Sequence, residues 1–261
     1  MKKYSSLLVV LLLMLASFTA GVEYQRGDVD QDGQVSISDV TCLIDYLLSG
    51  TWGDEPVTPP DEHEWVDLGL PNGTLWATCY VGATSPEGYG AHFAWGETEP
   101  KEVYDWTSYK WCNGSVTTLT KYCFNSVYGE YGYNGFTDDK TELEPEDDAA
   151  YVNWGEGWRM PTKEQLQELI QNCTWTWTQQ NGVNGHLVTG PNGNTIFLSA
   201  SGVCLDDEIR DPGSYGDFWS RTLSTHTCYA FDLGFKSDDV RWYSGDRSVG
   251  RCVRAVRVSQ E

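Results

Sequence analysis

The stretch WGEGWRMPTKEQLQELIQNC, residues 154–173, decides the fold of the long C-terminal part, because it alone there has the pattern of a well-formed helix. Thr162 is a favourable N-cap, since its hydroxyl can accept a hydrogen bond from a backbone N–H of the first turn. Gln165, three residues later, can complete a capping box. Apolar side chains then recur along one helix face, at Leu166, Leu169, Ile170 and Cys173. The sequence predicts an amphipathic helix on which the surrounding sheets pack.

Short strands and turns fill the rest of this part. Residues 174–178 alternate Thr and Trp, which places two tryptophans on one face of a strand. Turn signals separate further apolar runs at residues 71–73, 190–194 and 236–239. One helix among many short strands predicts an α+β fold with antiparallel sheets.

The net charge and the aromatic content of the chain limit the classes of partner that it can bind. The net charge is −21, from 38 acidic and 17 basic residues. This balance repels phosphate backbones and anionic lipids, so nucleic acid is not expected as a partner. The chain has 12 Trp and 15 Tyr. We expect most of them in the core and a few on an exposed stacking surface.

The first 20 residues have the pattern of a secretory signal peptide, with two lysines, an apolar run at 7–15 and then small residues. The apolar run is too short to span a bilayer comfortably. The mature chain is therefore predicted to have no transmembrane segment and to be secreted or held at the cell surface. Its eight cysteines suggest disulfide bonds in that compartment, with Cys112–Cys123 as the first candidate pair; none has the paired spacing of a zinc site.

Residues 27–39, GDVDQDGQVSISD, have the spacing of a calcium loop. Counted from Asp28, carboxylates occupy positions 1, 3, 5 and 12, and position 7 offers a backbone carbonyl. Calcium prefers six to eight oxygen ligands in such a wrapped loop. The predicted Ca²⁺ ligands are Asp28, Asp30, Asp32, Gln34 and Asp39. The alternative is an acidic, solvated turn.

The loop and the helical pattern after it, GDVDQDGQVSISDVTCLIDYLLSG, resemble one repeat of a dockerin, the module that docks secreted polysaccharide-degrading enzymes onto cohesins. The resemblance implies a cohesin-like partner. Dockerins usually carry two such repeats, and only one is present here. The dockerin-like repeat is assigned to residues 24–50, followed by a proline-rich, acidic linker at 51–62.

Residues 63–259 are similar to the Fibrobacter succinogenes major paralogous domain. The segments that carry the resemblance are, in order, EWVDLGLPNGTLWATCYVGA (64–83), YGAHFAWGETEPK (89–101), WGEGWRMPTKEQLQELI (154–170), GPNGNTIFLSASG (190–202), GSYGDFWSRT (213–222) and RCVRAVR (251–257). The resemblance implies a C-type-lectin-like fold in which the first and last strands pair, on a protein exported by an anaerobic bacterium. It implies no established activity. Cys204, Cys228 and Cys252 depart from the family pattern, which makes a Cys204–Cys228 bond specific to this protein a further candidate.

No catalytic motif stands out. The chain lacks HExxH, GxSxG and a dinucleotide fingerprint, and residues 99–101 do not match the calcium–sugar tripeptide of lectins. The first hypothesis is a binding or adhesion protein with a glycan or a surface protein as ligand. The predicted contact residues are Tyr229, Asp239, Arg241, Trp242, Tyr243, Asp246 and Arg247. Because strands alternate, at least one of Trp242 and Tyr243 is expected to point inward.

Two other functions remain open. The chain could be a non-binding or hydrolytic component of a polysaccharide-degrading system, tethered by the dockerin-like repeat and, if an enzyme, acting on glycosidic bonds. A third hypothesis is a purely structural surface protein.

Overall fold

A computed structural model describes residues 63–124 and 136–258, and upstream of them only Val40, which lies in helical backbone. The chain divides into two units, Met1–Glu62 and His63–Glu261, and the description that follows concerns the second. The predicted signal peptide, the calcium loop with Asp28, Asp30, Asp32, Gln34 and Asp39, and the linker lie outside the described residues.

The described residues of the second unit contain short strands and two α-helices. The helices are α1 (Ala149–Trp154), preceded by a 3-10 turn at Pro145–Asp147, and α2 (Lys163–Asn172). The strands are β1 (Trp65–Asp67), β2 (Thr74–Ala77), β3 (Thr174–Gln180), β4 (Val183–Thr189), β5 (Thr195–Ser199), β6 (Val203–Leu205), β7 (Glu208–Arg210), β8 (Gly216–Leu223), β9 (Tyr229–Lys236), β10 (Asp239–Asp246) and β11 (Val256–Val258).

These strands form three-stranded sheets in the orders β1-β2-β11, β3-β4-β5 and β10-β9-β8, and a two-stranded ribbon β6-β7. The strand pairs within them are antiparallel. The predicted sheet-rich α+β class is confirmed. The first and last strands do not pair with each other, because β2 lies between them and pairs with both.

Helix α2 forms where the sequence predicts it. The Thr162 hydroxyl accepts a hydrogen bond from Gln165 N at 3.2 Å, and the Gln165 side chain accepts one from Thr162 N at 2.8 Å, which completes the predicted capping box. Leu166 and Leu169 are fully buried in a core that also contains residues of β8 and β9. The helix therefore packs on the sheet β10-β9-β8, which carries the predicted contact residues.

A second core lies around Trp95, Trp158 and Trp219, all of them fully buried. The sheet β10-β9-β8 separates the two cores, because Phe218 of β8 belongs to the first and its neighbour Trp219 to the second. Strand β8 is thus buried on both faces. The predicted turns at 190–194 and 236–239 are confirmed, since they join β4 to β5 and β9 to β10.

Six of the described cysteines form no disulfide bond in this structure: Cys79, Cys112, Cys123, Cys173, Cys204 and Cys252. Neither the Cys112–Cys123 bond nor the Cys204–Cys228 bond expected from the sequence is formed. Cys112, Cys123 and Cys204 instead share an apolar cluster, where a thiol packs as a small hydrophobic group. Burial raises the pKa of Cys123 and of Cys204, which keeps both thiols protonated and unreactive.

Candidate functional site

The central predicted contact residues lie on β10, which forms the edge of its sheet beyond β9. Residues 241–244 of this strand are all exposed, including Trp242 at 43% and Tyr243 at 41%. The expectation that at least one of these two aromatics is a core residue is therefore wrong. Alternation gives a buried face only where a core covers the strand, and residues 241–244 of this edge strand are exposed on both faces.

Strand register places the two aromatics on opposite faces of the sheet. Trp242 pairs with Leu233 of β9, and Tyr243 pairs with Asp232. Directly paired residues share a face. Leu233 belongs to the core beneath α2, whereas Asp232 faces the other way. The two exposed rings therefore belong to two different surfaces.

Trp242 lies beside the first turn of α2. Its ring contacts Phe231 edge-on, with centroids 5.6 Å apart. The Lys163 ammonium lies 4.2 Å from the Phe231 ring and 4.8 Å from the Trp242 ring. An ammonium over an aromatic face is attracted by the ring quadrupole. Trp242 is thus partly covered by its own domain and partly open to solvent.

Tyr243 belongs to a surface group that we call the tyrosine platform, made of Tyr215, Gly234, Asp239, Arg241 and Tyr243. Asp239 accepts hydrogen bonds from the Tyr243 hydroxyl at 3.1 Å and from Arg241 Nε at 2.7 Å. A methyl group on Gly234 would lie 2.5 Å from the Tyr215 hydroxyl and 3.1 Å from the Tyr243 ring. Both tyrosines therefore cover the backbone of Gly234, and only glycine leaves room for them.

A buried ion cluster, Asp217, Asp232 and Arg251, lies beneath the platform. Asp217 accepts hydrogen bonds from the Tyr215 hydroxyl at 3.0 Å and from Arg251 Nε at 2.7 Å. Arg251 Nη2 lies 3.4 Å from Asp232 Oδ2. Both carboxylates are 1% exposed. The guanidinium also stacks 4.1 Å from the ring of Trp219. One arginine thus contacts both carboxylates.

Burial dominates the electrostatics of this cluster. It raises the pKa of Asp232 to about 8, with a further contribution from Asp217 and an opposing one from Arg251. Burial also raises the pKa of Asp217, which Arg251 and the Tyr215 hydroxyl counteract. Asp217 Oδ1 and both Asp232 oxygens accept no hydrogen bond from the described residues. Arg251 Nη1 likewise donates no hydrogen bond to the described residues. With both carboxylates ionised, the cluster would carry two negative charges and one positive charge.

Tyr229 and Asp246, two further predicted contact residues, pair with each other at the far end of the β9–β10 hairpin. Both are half-buried, and burial raises the pKa of Asp246 while Arg251 opposes the shift. They lie at the margin of the exposed surface formed by residues 241–244 and do not belong to the platform.

The prediction for Arg247 is wrong, because its side chain is fully buried. Its Nε donates to the Tyr109 hydroxyl at 2.9 Å, and its two terminal nitrogens donate to the backbone oxygens of Thr227, Tyr122 and Lys121 at 2.9 to 3.1 Å. Three aromatic rings surround the guanidinium at 5.0 to 5.9 Å. Backbone oxygens and rings thus replace water, and Arg247 holds loops together inside the domain.

Sequence reasoning missed Tyr215 and Gly234 of the platform and the three residues of the buried cluster. One sequence signal for the buried cluster was present in residues 230–235, AFDLGF. There Asp232 interrupts an apolar strand, and the residues two positions away on each side are small. Ala230 and Gly234 share the face of Asp232. Small neighbours around a strand aspartate leave space for a partner from elsewhere in the chain, and Arg251 fills that space.

Among residues 63–124 and 136–258, no group of three or more His, Cys, Asp or Glu side chains could hold a metal ion. The same residues contain no helix that is both long and apolar enough to cross a bilayer. Compared with known proteins, the chain matches no family model, and no curated protein and no solved structure shows significant similarity to it.

Proposed function

We propose that this chain is a secreted or cell-surface binding protein that contacts a glycan through the tyrosine platform. The observation that carries the proposal is the exposed Tyr243 ring on edge strand β10, held beside Asp239 and Arg241. Tyr, Trp and Arg are over-represented among the residues that carry the binding energy of contact surfaces. The faces of sugar rings are apolar enough to stack on such rings, while their hydroxyls need polar groups at the rim.

The platform offers both kinds of contact. Tyr243 supplies a ring face, and Asp239 and Arg241 supply an acceptor and donors beside it. Because Asp239 already bonds both Arg241 and Tyr243, these side chains are held before a ligand arrives, which lowers the entropy cost of binding. An uncharged or cationic glycan also suits a chain whose net charge is −21.

The wider assignment rests on sequence motifs. We propose export by the signal peptide, a C-type-lectin-like domain of the Fibrobacter succinogenes major paralogous type at residues 63–259, and attachment to a cohesin-like partner through the dockerin-like repeat. The repeat would bind Ca²⁺ through residues 28–39. Calorimetric titration of the metal-free protein with calcium tests this part, and we expect binding heat that Asp32→Ala abolishes. Absence of heat with the unchanged protein would remove the site.

A glycan array with the purified chain tests the proposed contact surface. We expect Tyr243→Ala to weaken binding of any retained glycan by at least about tenfold and Trp242→Ala to weaken it less, since Trp242 lies on the opposite face. Trp65→Ala is the matched control, because Trp65 is equally exposed on the edge strand β1.

Two results would contradict the proposal. Equal binding by all three variants would place the ligand elsewhere on the chain. Capture of a cell-surface protein with no glycan retained, sensitive to Tyr243→Ala, would keep the surface and replace the ligand class.

A further inference from the structure

We propose that the Asp217–Asp232 pair acts as a proton switch beneath the tyrosine platform: with one proton bound it holds the platform in place, and loss of that proton at alkaline pH loosens the platform and weakens binding. The binding part rests on the proposed function. The proton part depends only on the buried cluster and can be tested without a ligand.

The first step of the argument is charge balance. Two carboxylates and one guanidinium carry a net negative charge when all three are ionised, and the cluster is almost wholly buried. A buried charge without a partner is strongly unfavourable. One proton on the pair makes the cluster neutral. Like charges that share a site are known to hold such a proton between them.

The second step is which carboxylate carries the proton. Asp217 accepts hydrogen bonds from Arg251 and from Tyr215, and both stabilise its ionised form. Asp232 has only the longer 3.4 Å contact with Arg251. The proton therefore resides on Asp232, whose pKa burial and the charge of Asp217 raise to about 8. When the pH passes that value, the proton leaves to solvent and Asp232 becomes an anion beside Asp217.

Several other charged or titratable groups lie around the pair, and the Asp246→Asn variant described below separates the contribution of Asp246, whose pKa burial also raises. They are Tyr215 and Lys236 at the ends of β8 and β9, Asp239, Arg241, Tyr243 and Asp246 on β10, Cys252 beside Arg251, and Tyr80 after β2. Burial raises the pKa of Tyr215 and of Tyr80 well above their usual range and that of Cys252 to about 12, so these three stay neutral near pH 8. Arg241 is already paired with Asp239.

The third step is the connection to the surface. Arg251 and the Tyr215 hydroxyl both donate to the same oxygen, Asp217 Oδ2. An ionised Asp232 competes for Arg251 and repels Asp217, so the arrangement around that oxygen changes. The Tyr215 hydroxyl lies over Gly234 next to the Tyr243 ring. Movement of Tyr215 therefore disturbs the platform directly.

Carbon-13 NMR of the full chain, labelled at aspartate carboxyl and tyrosine ring carbons, tests the switch from pH 5 to pH 10. We expect the Asp232 carboxyl carbon to titrate near pH 8 and the Tyr215 and Tyr243 ring signals to shift with the same midpoint. Asp232→Asn should abolish those ring shifts, whereas Asp246→Asn should preserve them. Titration of Asp232 below pH 5, or ring signals that do not follow it, would overturn the proposal.

A second variant covers the case in which Asp232→Asn does not fold. Tyr215→Phe removes one hydrogen bond and changes no charge in this pH range. In this variant Asp232 should still titrate, and the Tyr243 signal should no longer follow. A Tyr243 shift of unchanged size would show that Tyr215 does not transmit the change and would contradict the mechanism.

The ligand arm measures affinity for an array-selected glycan at pH 7 and pH 9. With a midpoint near 8, the protonated fraction falls from about 90% to about 10%, so apparent affinity should fall roughly tenfold. Asp232→Asn should show no such loss. If the array retains no glycan, the proposed function fails while the NMR titration still decides the switch. If affinity stays equal at both pH values in the unchanged protein, the switch does not control binding.

Discussion

Strand β10 and the segment that follows it, residues 247–257, are neighbours in sequence and opposites in burial. Strand β10 carries Trp242 and Tyr243, yet both are exposed. The next segment, RSVGRCVRAVR, carries four arginines, and two of them, Arg247 and Arg254, are fully buried. Residue type alone would have assigned the two regions the other way round. Their burial follows from position, because β10 is a sheet edge and the arginine segment runs between the two cores.

The buried arginines show how a core accommodates such side chains. Arg254 donates to Ala77 O at 3.1 Å and to Phe197 O at 2.8 Å, and it stacks 4.1 Å from the Tyr80 ring. Burial lowers its pKa, and Tyr80 opposes the shift. Neither Arg247 nor Arg254 forms an ion pair with a carboxylate of the described residues. Each instead ties together backbone segments that are distant in sequence.

The largest expected effect concerns Arg247. Replacement by methionine keeps much of the volume but leaves three backbone oxygens and the Tyr109 hydroxyl without their donor. Since a single unsatisfied buried polar group costs about 1–3 kcal/mol, we expect a loss of at least about 3 kcal/mol in the free energy of unfolding. Urea unfolding measures it. Arg241→Met is the matched control on β10 and should hardly move the midpoint. Equal losses in both variants would contradict the comparison.

The substitution Gly234→Ala tests the packing of the exposed tyrosine platform. In Gly234→Ala the new methyl group collides with the Tyr215 hydroxyl and crowds the Tyr243 ring. Overpacking of this kind costs about 1–3 kcal/mol, and here it should also displace Tyr215 from Asp217. Thermal unfolding measures the stability loss and the glycan array the loss of binding. Gly157→Ala is the control, because a methyl group there meets nothing closer than 3.5 Å. Unchanged binding by Gly234→Ala would show that the platform is not the contact surface.

The buried cluster predicts a pH dependence of stability with a definite sign. The pKa of Asp232 is raised on folding to about 8, so the folded state holds a proton that the unfolded chain has lost. The contribution of Asp232 to the free energy of unfolding is fully present below the pKa that this group has in the unfolded chain. It is lost as the pH rises from there toward 8, by at most about 1.4 kcal/mol per pH unit. Unfolding midpoints measured from pH 5 to pH 9 should therefore fall more steeply for the unchanged protein than for Asp232→Asn. Parallel curves would contradict the shift.

Local features of the fold could be predicted from the sequence, and features that depend on distant partners could not. The capping box of Thr162 and Gln165 is local in the chain, and it is present as predicted. The turn at residues 236–239 is local as well. The burial of Arg247 depends on Tyr109 and Lys121, more than 100 residues earlier, and no pattern near Arg247 indicates that contact.

The residues of the candidate site show the same difference between local and long-range contacts. Asp239, Arg241 and Tyr243 lie within five residues of one another, and sequence reasoning found all three. Tyr215 joins them only because β8 and β10 flank β9 in one sheet. Asp217 and Arg251 meet across 34 positions of the chain, so the buried cluster became visible only with the fold.

The smallest expected effect concerns the N-cap of α2. This prediction distinguishes a ligand on the Trp242 face of β10 from a ligand on the platform face. Thr162→Ala removes the hydroxyl that accepts from Gln165 N and should cost about 1 kcal/mol of stability. Thr162→Ser keeps the cap and should cost less. The next residue, Lys163, contacts Trp242 and not the platform, so glycan affinity should remain within about twofold of the unchanged protein. If Thr162→Ala weakened binding as much as Tyr243→Ala does, the ligand would lie on the Trp242 face, because only that face adjoins the first turn of α2.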